Sequence, residues 1–339
     1  MAFEDALEDE TALLERMSRP DAEVEAAVAR ADGPILVLGV GGKMGPTLAR
    51  MLVRAGAEEV IGVSRFSDEA QRRWLEEAGV RTLKADLADE EALRALPEAA
   101  SVYMLAGFKF GATGNEALTW AMNTWLPGQV LQRFPGARVV YVSSGNVYAY
   151  TPNDGRGAAE DGALAPVGEY AQSRLGGERL AEHFARRQGT PLAVVRLFYA
   201  TELRYGIIHD IAWKVWHGEP IDLAMGHVNQ IWQGDANAYL ARMLPLCADP
   251  PAFVNLTGPE VLSVRRLAEE LGRLLEKEPL FSGEEEPEAL LGDSDWLFER
   301  LGTPSVEAAQ IVAWVADWVR RGGGSLGKPT KYESRSGRF

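Results

Sequence analysis

The stretch Pro34-Ile-Leu-Val-Leu-Gly39-Val-Gly-Gly42-Lys-Met-Gly45, continuing as Pro46-Thr-Leu-Ala-Arg-Met-Leu-Val-Arg-Ala55, decides the fold. An apolar run too short for a helix meets a glycine cluster, and a helix-patterned segment follows. The pattern predicts a buried parallel strand, a tight turn and a helix N-terminus. Each glycine has a physical task. One lets the chain turn sharply, a second lets backbone N–H groups approach a pyrophosphate, and a third lets helix and strand pack closely with the helix dipole behind the phosphates. The spacing Gly39-x-x-Gly42-x-x-Gly45 differs from GxGxxG, although Gly41 complicates the frame. Alone, such a turn is also an ordinary strand-to-helix connection, so its meaning depends on the rest of the chain.

Outward from this turn, strand and helix patterns alternate. Residues 1–32 carry Leu7, Leu13, Leu14 and Met17 at amphipathic spacing, with a break at Pro20, and read as a helical extension packed on the core. After the glycine turn come Val60–Val63, a polar helix over Asp68–Glu77, Arg81–Ala85, a short helix from Glu90, and Val102–Ala106. A longer helix is expected over Asn115–Phe134, then a strand over Arg138–Val142. A Gly/Pro/Asp-rich loop over Thr151–Pro166 leads to the helix Gly168–Arg187 and the strand Leu192–Leu197. This alternation implies a doubly wound parallel sheet, a Rossmann fold, over residues 33–200. Beyond residue 200 the rhythm changes. Helices at Ile208–His217, Ala236–Leu246, Val264–Leu275 and Val306–Arg320 enclose short apolar runs, including Ala252–Thr257. Residues 201–320 therefore read mainly as a smaller α/β substrate lobe with a strand returning to the core, and residues 321–339 as a loose polar tail.

The 339 residues carry a formal net charge of −14 and are 46% apolar. That composition is ordinary for a globular domain and argues against nucleic acid or an anionic membrane as partner. An anionic ligand would have to be held by local glycine turns and a few cations. The single cysteine, Cys247, excludes an internal disulfide and reads as core. His183, His209, His217 and His227 lack metal-ligand spacing, so no metal site is expected. The acidic N-terminus lacks a basic n-region and an apolar h-region, and no window is long and apolar enough to span a bilayer, so a cytoplasmic protein is expected.

Further motifs follow in order. The fifth strand ends in Val142-Ser143-Ser144-Gly145-Asn146-Val147-Tyr148, and Tyr170-Ala-Gln-Ser-Arg174 opens a helix 26 residues after Ser144. With Gly39, Gly42, Gly45 and Asp86-Leu87, these make the chain resemble the extended short-chain dehydrogenase/reductases, the NAD-dependent epimerase/dehydratase family, over about residues 34–320. The resemblance implies that Ser144 hydrogen-bonds a substrate oxygen and that Tyr170 exchanges a proton with it while a hydride moves to or from nicotinamide C4. A free tyrosine has a pKa near 10, so work near neutrality needs a drop of about 3 units, or ~4 kcal/mol. A cation at ~4 Å and an effective dielectric of ~20 supplies about that much. In the family that cation is a lysine one helical turn on; here it is Arg174, which keeps the charge but cannot release a proton.

By the same resemblance Gly39, Gly42, Met44 and Gly45 form the cofactor-binding turn, Asp86 and Leu87 match the adenine contact, and Leu105, Ala106 and Gly107 the strand end beside the cofactor. Lys43, inside the turn, can add its charge toward a 2′-phosphate, with solvent exposure as the alternative. Met104 stands where a histidine is often found. Asn123 matches an asparagine of the following helix, with a helix-surface residue as the equal alternative. Ser64-Arg65 ends the second strand where NAD-preferring members carry an acidic residue, which favours NADP over NAD because Arg65 can pair with a 2′-phosphate. For the substrate, Asn146, Tyr199, Arg204, Asn229 and Trp232 are pocket candidates, each with a structural alternative. Asp235 reads as a helix N-cap. The expected activity is hydride transfer at a hydroxyl-bearing carbon of a sugar-like or hydroxy-acid substrate. The rivals are an epimerase or dehydratase that retains its nucleotide, and a non-catalytic nucleotide-binding sensor. A homodimer packed through the helices Asn115–Phe134 and Gly168–Arg187 is a family-level expectation.

Overall fold

The computed structural model describes residues 7–109 and 111–338. Seven parallel strands form the central sheet: β1 (Ile35–Leu38), β2 (Val60–Ser64), β3 (Arg81–Lys84), β4 (Ser101–Met104), β5 (Arg138–Ser144), β6 (Leu192–Leu197) and β7 (Ala252–Leu256). Their order is β3-β2-β1-β4-β5-β6-β7, which places the strand-order reversal beside β1. Helices cover both faces, so both faces of each central strand are apolar. Leu36, Leu38, Ile61, Val63, Val102, Met104 and Val139 share one buried cluster. Ile35, Val37, Val60, Tyr103, Val140, Val142 and Val195 share the other.

A third cluster builds the smaller lobe from Ile207, Ile208, Ile211, Leu267, Leu271, Ile311 and Val315. The helices Ile207–His217, Val264–Leu275 and Ala308–Arg320 present those residues at helical spacing. Leu13 and Met17 of the N-terminal helix Glu10–Met17 and Tyr332 of the C-terminal tail join the same cluster. The N-terminal extension is also tied down by Glu15, whose carboxylate meets Arg50 and Arg54 at 2.8 Å each. The part of this extension before Leu7 lies outside the described residues.

Four local expectations change. β5 runs two residues past Val142, because Ser143 and Ser144 continue the register against Arg196 and Leu197 of β6. The helix over 116–133 is not uniform: a π-helical turn at Ala121–Trp125 separates Glu116–Trp120 from Leu126–Arg133. The tail is docked rather than loose. Leu326 N donates to Arg204 O at 3.0 Å, Thr330 N and Oγ1 donate to Asp210 at 2.7 and 2.6 Å, and Tyr332 is 1% exposed. Its polar sequence hid these partners, which lie more than a hundred residues away. Asp235 is not an N-cap either. Its helix begins at Gln233, and its carboxylate accepts from Ser305 Oγ (2.6 Å) and Val306 N (3.0 Å). No helix among the described residues is long and apolar enough to cross a membrane.

Candidate active site

A cavity of about 310 Å³ opens above the C-terminal ends of β1, β4, β5 and β6, where a doubly wound sheet places its ligand. Gly39, Gly42, Lys43, Met44 and Gly45 line it together with Leu105 and Gly107 and with Ser144, Tyr170 and Arg174. Gly39 has φ +85°, and a Cβ there would lie 2.6 Å from Ala106 N. Only glycine can make this turn against the end of β4. A Cβ on Gly42 would meet only Gly39 O, at 3.2 Å, so its outer side faces the cavity. The Gly45–Arg54 helix starts here with Pro46 in its first turn, and its first backbone N–H groups have no partner within the helix. This is a cradle shaped for a pyrophosphate, and the residues present fit a dinucleotide.

The catalytic candidates come from two elements. Ser144, the last residue of β5, is 4% exposed; its Oγ donates to Asn146 Oδ1 (3.0 Å) and accepts from Asn146 N (3.2 Å). That pair caps the short 3₁₀ turn Gly145–Val147 and orients Ser144 into the cavity. Tyr170 sits in the first turn of the Gly168–Gln188 helix, 9% exposed. Arg174 follows one turn later, 4% exposed, and donates through Nη2 to Val142 O. Its guanidinium carbon lies 5.2 Å from the Tyr141 ring centroid. A Cβ on Gly107 would come within 2.7 Å of Arg174 Nη1. Arginine, longer and planar, is therefore held against the end of β5 and the Gly107 backbone.

Behind Tyr170 the helix is anchored by a buried polar chain. Ser143 Oγ donates to Glu178 Oε1 at 2.6 Å, and Arg196 Nη2 pairs with Glu178 Oε2 at 2.8 Å. Arg196 Nη1 also donates to the Tyr148 hydroxyl at 2.6 Å, which donates to Asn255 Oδ1 at 2.8 Å. Glu178 is 0% and Arg196 2% exposed, so the pair stands only because each charge is satisfied by the other. Asn123 lies in the π turn. Its Oδ1 accepts from Phe108 N (2.8 Å), and its Nδ2 donates to Phe108 O (2.9 Å) and Ser173 Oγ (3.1 Å). It is buried and clamps the loop after β4 to the Tyr170 helix, so the helix-surface alternative fails.

Of the other cofactor candidates, Ser64 lies beside the turn: a Cβ on Gly41 would be 2.6 Å from Ser64 Oγ. Arg65 is exposed at the end of β2, Asp86 is exposed and caps Ala88 N at 3.0 Å, and Leu87 and Ala106 are buried. Among the substrate candidates, Tyr199 lines the cavity. The fold does not bring Arg204, Asn229 and Trp232 to it. Arg204 pairs with Glu202 at 3.1 Å and with Glu10, and lines a separate cleft with His209 and Asp210. Asn229 is spent on the Gly292 backbone, and Trp232 is 2% exposed against Trp314 at 5.2 Å.

Two further lysines enter the cavity unannounced by any motif. Lys109 Nζ lies 5.6 Å from the Tyr170 ring centroid and 5.5 Å from that of Tyr199. Burial lowers its pKa to about 8. Lys328 arrives on the tail. The only sequence signal for Lys109 was its place two residues after Gly107; Lys328 had none. Lys43, expected at the cofactor, reaches across to the smaller lobe with Nζ 3.1 Å from the Tyr205 ring centroid, and burial lowers its pKa strongly.

This strand order, with a glycine cradle at the end of β1, defines a dinucleotide-binding protein of the short-chain dehydrogenase/reductase type. Over residues 35–201 the chain belongs to the NAD dependent epimerase/dehydratase family, a family of enzymes. Solved structures agree on the fold. UDP-glucuronic acid 4-epimerase from Bacillus cereus in complex with NAD superposes with a TM-score of 0.72 at 18% identity, covering 85% of this chain and 99% of its own. The dTDP-glucose 4,6-dehydratase of Streptomyces venezuelae gives 0.73 at 20% identity, covering 85% and 97%. No curated protein matches the sequence.

Proposed function

We propose that the chain is an NAD(P)-dependent oxidoreductase that transfers a hydride at a hydroxyl-bearing carbon of a small substrate. The observation that carries this reading is that the glycine cradle, Ser144 and Tyr170 line one cavity. Gly39, Gly42, Met44 and Gly45 would hold the pyrophosphate, with Leu105, Ala106 and Gly107 at the strand end beside the cofactor. The bound dinucleotide would accept or supply the hydride at nicotinamide C4. Ser144 would turn its hydroxyl proton from Asn146 Oδ1 to the substrate oxygen, and Tyr170 would take the substrate hydroxyl proton or return it. Arg174 adds positive charge one turn below Tyr170. Lys109 adds a second positive group, with Nζ 5.6 Å from the Tyr170 ring centroid.

Arg65 at the end of β2, with no carboxylate at that strand end, supports a preference for NADP. Arg65→Ala is expected to weaken NADP more than NAD; equal losses in a titration would remove that preference. An epimerase or dehydratase is the second reading, favoured by the solved relatives of that type, and it requires the hydride to return to the substrate. Denaturing the purified protein and identifying any released nucleotide separates the two. A stoichiometric, retained nucleotide supports the second, and a protein that binds NADP reversibly supports the first. Tyr170→Phe is expected to lower kcat by about 10²–10⁴ while nucleotide affinity stays. An unchanged kcat would make Tyr170 a bystander.

A further inference from the structure

The cavity carries a charge balance opposite to that of the chain. Lys43, Lys109, Lys328 and Arg174 line it, and no described carboxylate does, although the protein as a whole is at −14. Glu202 and Asp210 attract the lysines from behind the wall, but each already has partners of its own, Arg204 and Thr330 respectively. The other walls are aromatic: Phe198, Tyr199 and Tyr205. An anion entering the cavity would meet Lys43, Lys109 and Lys328 together beside these rings.

The smaller lobe and the tail shape this end of the cavity. After Leu326 and Thr330 have fixed the segment that carries Lys328, Arg335 Nη1 donates to Glu288 O at 2.7 Å. Gly337 then packs on Gly168; a Cβ on Gly168 would lie 2.5 Å from Gly337 O. The strap thus runs from Arg204 to the start of the Tyr170 helix and lines a second cleft there with Glu169 and Tyr170. Beside Tyr170 the cavity offers Lys109, with Nζ 5.6 Å from the tyrosine ring, and the strap adds Lys328, so an anionic group held there sits next to the proton-transferring tyrosine.

We propose that the substrate is a small polyol or hydroxy acid bearing a carboxylate or phosphate, and that Lys43, Lys109 and the tail residue Lys328 bind that anionic group. This rests on the hydride-transfer reading of the cavity. The lysines serve the substrate rather than the pyrophosphate because Lys43 turns toward Tyr205 and Lys328 belongs to the strap over the smaller lobe.

The test loads the full-length protein with NADP and titrates it calorimetrically with glucose, gluconate, glucose 6-phosphate and UDP-glucose. These probes share a hexose skeleton and differ in charge and size. The expected result is binding of gluconate or glucose 6-phosphate with Kd below about 1 mM and none of glucose. Which of the two binds tells carboxylate from phosphate. Lys328→Glu, an exposed change that should not disturb folding, and Lys109→Met are each expected to weaken the anion about tenfold or more while NADP affinity is kept. Glucose binding as well as the anions, UDP-glucose binding more tightly than both, or silence toward every probe would overturn the proposal. So would loss of NADP affinity in the lysine variants by the same factor. Failure of the wild-type protein to bind either nucleotide would instead overturn the reading beneath it.

Discussion

At the scale of single residues, Lys109 shows how burial sets a working charge. Burial in the loop after β4, beside Tyr170 and Tyr199, lowers its pKa to about 8, and the Asp210 charge works against that shift. Burial holds the Tyr199 phenol above its usual range, so it stays neutral in the same window. The sign of the stability effect follows. An ordinary lysine holds its proton up to about 10.5, so between about 8 and 10.5 the unfolded chain binds more protons than the folded one. Lys109 therefore makes stability rise with pH across that window, and Lys109→Met should flatten the rise in urea titrations. Anion binding runs the other way. The ammonium form predominates below about 8 and is lost above it, so the affinity for gluconate or glucose 6-phosphate should fall as pH rises through that value. A flat affinity from pH 7 to 9 would show that Lys109 does not hold the anion.

Among elements, the Tyr170 helix is positioned by what lies beneath it rather than by its own propensity. Glu178 and Arg196 bind it to β5 and β6 through Ser143 and Tyr148. Gly177 lets it approach the π turn so closely that a Cβ there would fall 2.0 Å from Asn123 O. Arg196→Met leaves the Glu178 carboxylate buried without its partner and should cost about 3–5 kcal/mol of unfolding free energy by urea denaturation. The double change Glu178→Leu with Arg196→Met, which removes both charges, should cost distinctly less. If single and double variants lose the same amount, the pair is not coupled. The π turn has a related role. It gives Asn123 the rotation to clamp Phe108, and π turns recur at such functional positions.

At the scale of the molecule, both ends of the chain close the smaller lobe. Deleting residues 325–339 removes buried Tyr332, the Thr330–Asp210 contact and Lys328 together. The deletion should lower Tm and abolish anion binding while NADP binding at the glycine cradle persists. Loss of both ligands in a folded protein would mean that the strap also shapes the cradle. The alternation of apolar runs and amphipathic segments, with the glycine turn after the first strand, determined the parallel sheet on its own, because periodicity and glycine conformation are local properties. β6 and the Val264–Leu275 helix fall where the pattern put them. The motif order likewise made Ser144, Tyr170 and Arg174 legible as a group. What the tertiary structure alone decided is everything that depends on distance between remote segments: that Arg204, Asn229 and Trp232 are spent on neighbours, that the polar tail is a strap, and that Lys109 and Lys328 meet Lys43 in one cavity. A charge in a loop or a tail has no period to reveal its direction, and only the packing of the lobe and the buried partners of its neighbours gives it one.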